Sequence, residues 1–349
     1  MQIVTEDGPG VSAGWVARAL GKSEQSLEAM SWKPVGTGQV AASYRGLLSW
    51  RDGDGPKSIV VKCPSTDPTS RQTGKDHGLY AKEIAWYLQL REETQVRCPQ
   101  CFGGRYDEET GDFALLLEDC APAEQGDQLA GASVSDVRAT IREAVHLHAP
   151  FFDKPLILEN PLTGTSEEVI EQRIQLYAMF WPEFRKRYEG RLDPVLLEMG
   201  DDFAKRFEAY ARREPSHYTL VHGDMRIDNV LFGGADGRPI LLDWQTLAAG
   251  NPMTDIAYLI GTSLVDRKER SETERGLVEG YFAGLRDYGL APDEETLWQD
   301  YRRQALSGWV MAVMSSMLVQ RTERGDEMFA VMAERPGYQA LELDSVACI

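Results

Sequence analysis

The stretch Leu220–Phe232, LVHGDMRIDNVLF, decides how the rest of the chain reads. An apolar run delivers His222-Gly223-Asp224, four residues intervene, and Asn229 opens a second apolar run. A loop held between two short strands is a rigid mount for reactive side chains. Eleven residues beyond Phe232, the run ILLDWQ puts Asp243 at the end of another apolar strand. Asp224, Asn229 and Asp243 bring oxygen donors. One carboxylate would orient a hydroxyl, while an amide oxygen and a second carboxylate would hold Mg²⁺, a hard cation that takes oxygen ligands. Singly, Asp and Asn are ordinary loop residues and HGD reads as a turn. Their ordered spacing sets them apart.

Working outward, 349 residues are too many for one compact core and suit two lobes. Lys plus Arg number 37 and Asp plus Glu 55, a net charge of −18. Phosphate backbones and anionic membrane surfaces both call for clustered Lys and Arg, so neither nucleic acid nor a membrane is expected as a partner. Apolar residues at 42% and aromatics at 9% suffice for a folded interior, so the acidity belongs to the surface. The opening MQIVTEDGPG lacks a basic and then apolar leader pattern. The apolar stretch Leu306 to Val319 is interrupted by Ser307, Gly308, Ser315 and Ser316 and falls short of the roughly 20 residues that span a bilayer. It reads as a buried helix.

Five cysteines in a chain of this length do not make a disulfide framework. Cys98 and Cys101 form a CxxC, but a redox centre there would need an exposed thiol of low pKa. Structural thiols in a reduced, cytoplasmic protein are the simpler expectation.

The first third reads as strands: Met30 to Gly36, Ala41 to Trp50, Ser58 to Cys63, then Phe102 to Tyr106 and Asp112 to Glu118 around the turn DEETG. A helix is expected from about Leu79 to Arg91. From Ser133 the period becomes helical, SVSD opening a helix by N-cap logic, with long helical patterns over Glu167 to Tyr188 and Pro194 to Arg213. Short apolar runs follow, and helices resume from Asp255. The expected class is α+β, with a β-rich lobe over residues 1–119 and a larger helical lobe over 120–349.

HGD-x4-N, a strand-borne Asp, then Gly250 and Asp255 at Asp-x6-Gly-x4-Asp spacing resemble the signature of the aminoglycoside phosphotransferase-like kinases. That group includes choline kinase-like and ecdysteroid kinase-like enzymes on the two-lobed protein-kinase-like fold. The resemblance runs over roughly residues 30 to 265. It implies that Gly36-Thr37-Gly38-Gln39 covers the nucleotide and that Lys62, closing SIVVK, reaches its phosphates. Glu83 has an independent physical reading. On LYAKEIAWYLQL its helical neighbours are Leu79, Trp86, Tyr87 and Leu90, and a carboxylate on an apolar face needs a partner. The family pattern supplies Lys62. In FALLLEDC, Glu118, Asp119 and Cys120 are candidates for the connector whose backbone would bind adenine. Asp255 reads either as an N-cap of DIAYLI or, on family precedent, as the brace beneath the catalytic loop, and His222 as a shaper of that loop.

Two departures stand out. Where many relatives carry a second acidic residue after the metal-binding Asp, this chain has Trp244 and Gln245. Between Asp243 and Asp255 there is no room for an activation loop, which disfavours a regulated protein kinase.

The resemblance implies an ATP-dependent, Mg²⁺-requiring phosphotransferase acting on an alcohol group. ATP would sit with Lys62 and Glu83, Mg²⁺ on Asn229 and Asp243, and Asp224 would be the base. The acceptor would be a small hydroxylated molecule such as an aminoglycoside, sterol, macrolide or hydroxyacyl thioester, met near Leu176 to Phe184 and the helix of Trp309, Met311, Met314 and Met317. A methionine stripe at this spacing also suits plain core packing. The enzyme would be a monomer or homodimer. A catalytically silent, kinase-like nucleotide-binding module is the alternative, against which stands the joint presence of Lys62, Glu83, Asp224, Asn229 and Asp243.

Overall fold

The computed structural model describes residues 4–5, 8–36, 40–319 and 321–349. The chain divides into two compact units, Met1–Glu93 with Arg97–Ala123 and Leu242–Thr246, and Thr94–Val96 with Glu124–Leu241 and Leu247–Ile349.

In the first unit, β1 (Val4–Thr5) and β2 (Gly8–Pro9) make a short ladder, and helix α1 (Ala13–Ala19) follows. Strands β3 (Leu27–Val35), β4 (Ala41–Trp50), β5 (Ser58–Pro64), β6 (Cys101–Tyr106) and β7 (Phe113–Glu118) form one antiparallel sheet in the order β3-β4-β5-β7-β6. The period of two sorts β5. Ile59, Val61 and Cys63 are buried in a cluster with Val16 and Ala17 of α1, which leaves Lys62 on the other face. Strand β7 lies between β5 and β6 and is apolar on both sides: Ala114 and Leu116 join the α1 cluster, while Phe113 meets Tyr80 at 4.7 Å between ring centroids. Helices α2 (Pro68–Asp76) and α3 (Leu79–Ala85) lie between β5 and β6 in sequence.

Three details differ from the sequence expectation. Helices α1 and α2 are additions to the expected elements; Asp67 caps α2 by accepting from Ser70 N at 2.8 Å and Pro68 sits in its first turn. The helix expected to reach Arg91 is α-helical only to Ala85, then widens into a π-turn over Trp86–Leu90 and tightens into a 3₁₀ turn over Arg91–Glu93. The wider turn is where Trp86 meets Trp244, described below.

The second unit is mostly helical: α4 (Val134–His148), α5 (Leu156–Glu159), α6 (Glu167–Tyr188), α7 (Pro194–Arg212), α8 (Met253–Ser263), α9 (Arg267–Asp287), α10 (Glu294–Gln304), α11 (Leu306–Leu318) and α12 (Glu323–Glu342). Ser133 caps α4 as its sequence indicates, its Oγ accepting from Asp136 N. Aromatic residues dominate the core of this unit. Tyr177 stacks on Phe207 at 3.8 Å between centroids, and Trp181, Phe184 and Trp309 pack beside them. Two small antiparallel sheets complete the unit. In one, β9 (Thr219–Val221) pairs with β12 (Ala248–Gly250); in the other, β10 (Val230–Phe232) lies between β8 (Glu124–Gln125) and β11 (Ile240–Leu241). The segment between β9 and β10 is therefore pinned at both ends. Among the described residues no helix is long and apolar enough to cross a membrane.

Close packing in this core sets a test. A Cβ at Gly200 of α7 would lie 2.2 Å from Trp181 Cη2 and 2.7 Å from Trp309 Cζ2. Gly200→Ala gains up to about 1 kcal/mol of helix propensity, but overpacking two buried indoles costs about 1–3 kcal/mol. The variant should unfold at lower urea than the native chain, and a higher midpoint would contradict this packing.

Candidate functional site

The first unit gathers charge around Lys62. Its Nζ donates to Glu83 Oε1 at 2.7 Å and to Asp243 Oδ1 at 2.9 Å. Strand β5 delivers the lysine, α3 the glutamate, and the returning segment Leu242–Thr246 the aspartate. The Lys62 and Glu83 side chains are 11% and 1% exposed, whereas Asp243 is 35% exposed. Burial alone would make Lys62 easier to deprotonate, but the charges of Asp243 and Glu83 outweigh it and hold the ammonium above its ordinary value. Burial pushes Glu83 upward, opposed by Lys62 and by Gln245.

The two residues after Asp243 have structural work. Trp244 stacks on Trp86 with centroids 3.7 Å apart and planes 13° apart, and Gln245 Nε2 donates to Glu83 Oε2 at 3.3 Å. Where relatives have a second acid, this chain places an amide that steadies the lysine's partner. Asp243 itself has φ of +64°, a left-handed conformation that is uncommon outside glycine and is held only when the surroundings dictate it.

The connector after β7 has its acidic side chains engaged. Glu118 accepts from Arg97 Nη1 and Nη2 at 3.0 Å each and from Gln100 N, and Asp119 accepts from Arg45. Cys120 Sγ is directed at Glu118 O at 3.9 Å. Gly36 follows β3 at φ +73°, which suits a glycine turn. The remaining members of the expected nucleotide loop, Thr37, Gly38 and Gln39, lie outside the described residues.

The second unit holds the loop from His222 to Asn229. Asp255 is fully buried near the start of α8, and its carboxylate receives His222 N at 2.6 Å and Gly223 N at 2.9 Å. It is a brace and not a cap: α8 begins at Met253 and its N-cap is Pro252. Gly223 takes φ of +80°, which lets two successive amides face one carboxylate. His148 Nε2 stands 3.1 Å from Asp255 Oδ2, and its Nδ1 2.9 Å from the Tyr281 hydroxyl. Burial would raise the Asp255 carboxyl; the hydrogen bond and charge of His148, His222 and the Gly223 amide more than offset it and hold it below the usual aspartate range.

Asp224 projects from this braced loop. Oδ1 receives the Tyr258 hydroxyl at 2.9 Å, Oδ2 receives Asn229 Nδ2 at 2.8 Å, and Arg226 Nε lies 3.2 Å from Oδ1. Asn229 Nδ2 also donates to Asp224 O at 2.9 Å, so its amide nitrogen is committed and its Oδ1 is the atom suited to a cation. His222 Nδ1 accepts from Asp224 N at 3.3 Å, the loop-shaping contact expected of it. Tyr258, Arg226 and His148 are contacts of this site that the sequence motifs do not announce. Tyr258 is hidden in the apolar run DIAYLI, and only the position of Arg226 two residues after Asp224 hinted at a role.

Burial raises the Cys98 thiol and pushes Cys101 to about 11 and Cys63 and Cys120 to about 12, so little reactive thiolate exists near neutrality.

Residues 48–293 match the phosphotransferase enzyme family. The chain belongs to that family. It is 50% identical over 137 residues to the probable acyl-CoA dehydrogenase IBR3 of Arabidopsis thaliana, a match covering 36% of this chain and 16% of that protein. The chain thus spans a small part of that relative's length. Among solved structures, a microcompartment-associated aminopropanol kinase superposes with a TM-score of 0.53 at 13% identity, covering 97% of this chain and 99% of that one. Choline kinase from Cryptosporidium parvum Iowa II gives 0.55 at 12% identity, covering 90% and 89%. The fold is kinase-like, with an antiparallel five-stranded sheet in the first unit and a larger helical second unit. Membership in this phosphotransferase family supports a small-molecule kinase.

The brace has a pH signature. Removing one partner from a buried ionic cluster costs about 3–5 kcal/mol, so Asp255→Asn should be strongly destabilised at pH 7. A carboxyl depressed in the folded state contributes its stabilisation above the unfolded value, near 3.8. That contribution is lost as pH falls through the folded value. The urea-measured gap between native and variant should therefore narrow only in acid. A gap that is equally large in acid would contradict the ionised brace.

Proposed function

We propose that the chain transfers the γ-phosphoryl group of ATP to a hydroxyl of a small molecule. The observation that carries this reading is Lys62, buried and charged between Glu83 and Asp243, in a member of a phosphotransferase family. Nucleotide binding is assigned to residues 1–119, through Lys62, Glu83, the loop Gly36-Thr37-Gly38-Gln39 and the backbone of Glu118-Asp119-Cys120. The catalytic loop and the acceptor site are assigned to residues 120–349. Residues Asn229 and Asp243 would hold Mg²⁺, which neutralises phosphate charge when bound.

In the reaction the acceptor oxygen bonds to the γ-phosphorus as the bond to the β-bridging oxygen breaks, and ADP leaves. Asp224 takes the proton of the acceptor hydroxyl. Lys62 offsets charge on the nucleotide phosphates, and Glu83 keeps the ammonium placed. Positioning and charge neutralisation are the main demands of phosphoryl transfer, so a rigid loop and a fixed lysine suffice.

The acceptor is drawn from hydroxylated small molecules. Half-buried Met311, Met314, Met317 and Met328 pack against the helical core and suit an adaptable apolar surface. A hydroxyacyl thioester belongs in the panel because of the 50% identical stretch in a protein named as a probable acyl-CoA dehydrogenase. Aminoglycosides, macrolides, sterols and small amino alcohols complete it.

The test is Mg²⁺-dependent ATP consumption against that panel, with phosphorylated product identified by mass spectrometry. Nucleotide binding without product on any acceptor would favour the silent module. With an acceptor in hand, Asp224→Asn should lower turnover by about 10²–10⁴-fold while sparing ATP affinity. Near-native turnover would sink the base. Lys62→Ala should weaken ATP use, and an unchanged KM for ATP together with an unchanged rate would remove Lys62 from the nucleotide site.

A further inference from the structure

The Glu83 carboxylate is divided between two partners. Oε1 receives Lys62 Nζ at 2.7 Å, and Oε2 receives Gln245 Nε2 at 3.3 Å. Glu83 is 1% exposed and Gln245 7%, so solvent is a poor substitute for either partner. Gln245 serves an ionised Glu83 only through its nitrogen, because its carbonyl oxygen would repel the carboxylate.

The returning segment Leu242–Thr246 grips the α3 region at two points. Glu83 and Trp86 stand three residues apart, on one side of the helical path. Their partners, Gln245 and Trp244, are adjacent in a 3₁₀ turn. Both indoles are fully buried, and their stack at 3.7 Å fixes the separation between that turn and the helix. The terminal torsion of a glutamate is broad, without sharp staggered wells of its own. The amide on Oε2 therefore sets the plane of the carboxylate, and with it the direction from which Oε1 meets the ammonium. With that donor removed, the plane is free to turn, and Lys62 settles toward Asp243 Oδ1, its second partner at 2.9 Å.

We propose that Gln245 is a positioning residue for Lys62, its amide orienting Glu83 so that the ammonium stays aligned for a nucleotide phosphate. The proposal rests on Lys62 as the phosphate contact of the reaction above. Gln245 acts through Glu83 and not through a phosphate contact of its own. Methionine matches glutamine closely in length and volume but brings no donor, so Gln245→Met keeps the packing and removes the bond.

The experiment is the calorimetric affinity of a non-hydrolysable ATP analogue, at one Mg²⁺ concentration, for the full chain in four forms. These are the native protein, Gln245→Met, Lys62→Ala and the double variant. Gln245→Met should weaken binding about tenfold, the scale of one hydrogen bond to a charged group. In the Lys62→Ala background the same substitution should change affinity by less than about twofold, because the residue it acts through is gone. An unchanged affinity in Gln245→Met would overturn the proposal. So would an equal loss in both backgrounds, which is what a purely packing role gives. Should Lys62→Ala not fold, the Lys62 ¹⁵Nζ resonance, assigned by its loss in Lys62→Arg, should move between the native chain and Gln245→Met. A resonance that stays put would also overturn it. Should Gln245→Met not fold, Gln245→Leu takes its place in both measurements. An unchanged affinity in Lys62→Ala would defeat the nucleotide reading itself. A native-like Gln245→Met beside a weakened Lys62→Ala would defeat only the role of Gln245.

Discussion

A single ammonium, that of Lys62, joins three separate pieces of chain in the first unit. Strand β5, helix α3 and the returning segment Leu242–Thr246 have no continuous sequence in common, yet each contributes one charge to the same cluster. Two carboxylates and one ammonium leave the cluster one negative charge in excess. Glu83 is almost completely buried, so losing the lysine would strand an unpaired charge in the interior, an effect of about 3–5 kcal/mol. The Trp86–Trp244 stack and the Gln245 amide press the returning segment against α3. Asp243 takes its left-handed conformation within that clamp. Strain of this kind costs about 1–3 kcal/mol and persists where the surroundings over-determine it.

The second unit repeats the principle with a different charge. Asp255 binds two consecutive loop amides, and His148, itself fixed by Tyr281, meets the same carboxylate oxygen that receives His222 N. Rigidity in the loop from His222 to Asn229 thus comes from a buried anion, two short sheets and a single 3₁₀ turn over Ile227–Asn229. For a reaction that depends chiefly on placement, this is the property required of the mount.

Much of this was readable beforehand, for identifiable reasons. HGD-x4-N and the following aspartate have a fixed order that chance loops rarely reproduce, and Glu83 stands out because a carboxylate among Leu79, Trp86, Tyr87 and Leu90 needs a cation. The β-branched run SIVVK announced a strand with Lys62 at its close, and Ser133 announced α4. Other features leave weaker traces. Tyr258 reads as one more apolar residue of DIAYLI, since only the packed structure shows where its hydroxyl points. The π-turn after Ala85 follows a run that is periodic enough for an ordinary helix. Trp244 and Gln245 read as a departure from the family pattern until their partners, Trp86 and Glu83, are seen. In each case the missing information is a contact distant in sequence.

The central claim is that Lys62, Glu83 and Asp243 form a magnesium-nucleotide site. It is tested most directly by the affinity of a non-hydrolysable ATP analogue, measured calorimetrically with and without Mg²⁺, in the native chain and in Asp243→Asn. The native chain should bind the analogue more tightly when Mg²⁺ is present, and Asp243→Asn should lose most of that dependence while still folding. An equal dependence on Mg²⁺ in both proteins would contradict the assignment.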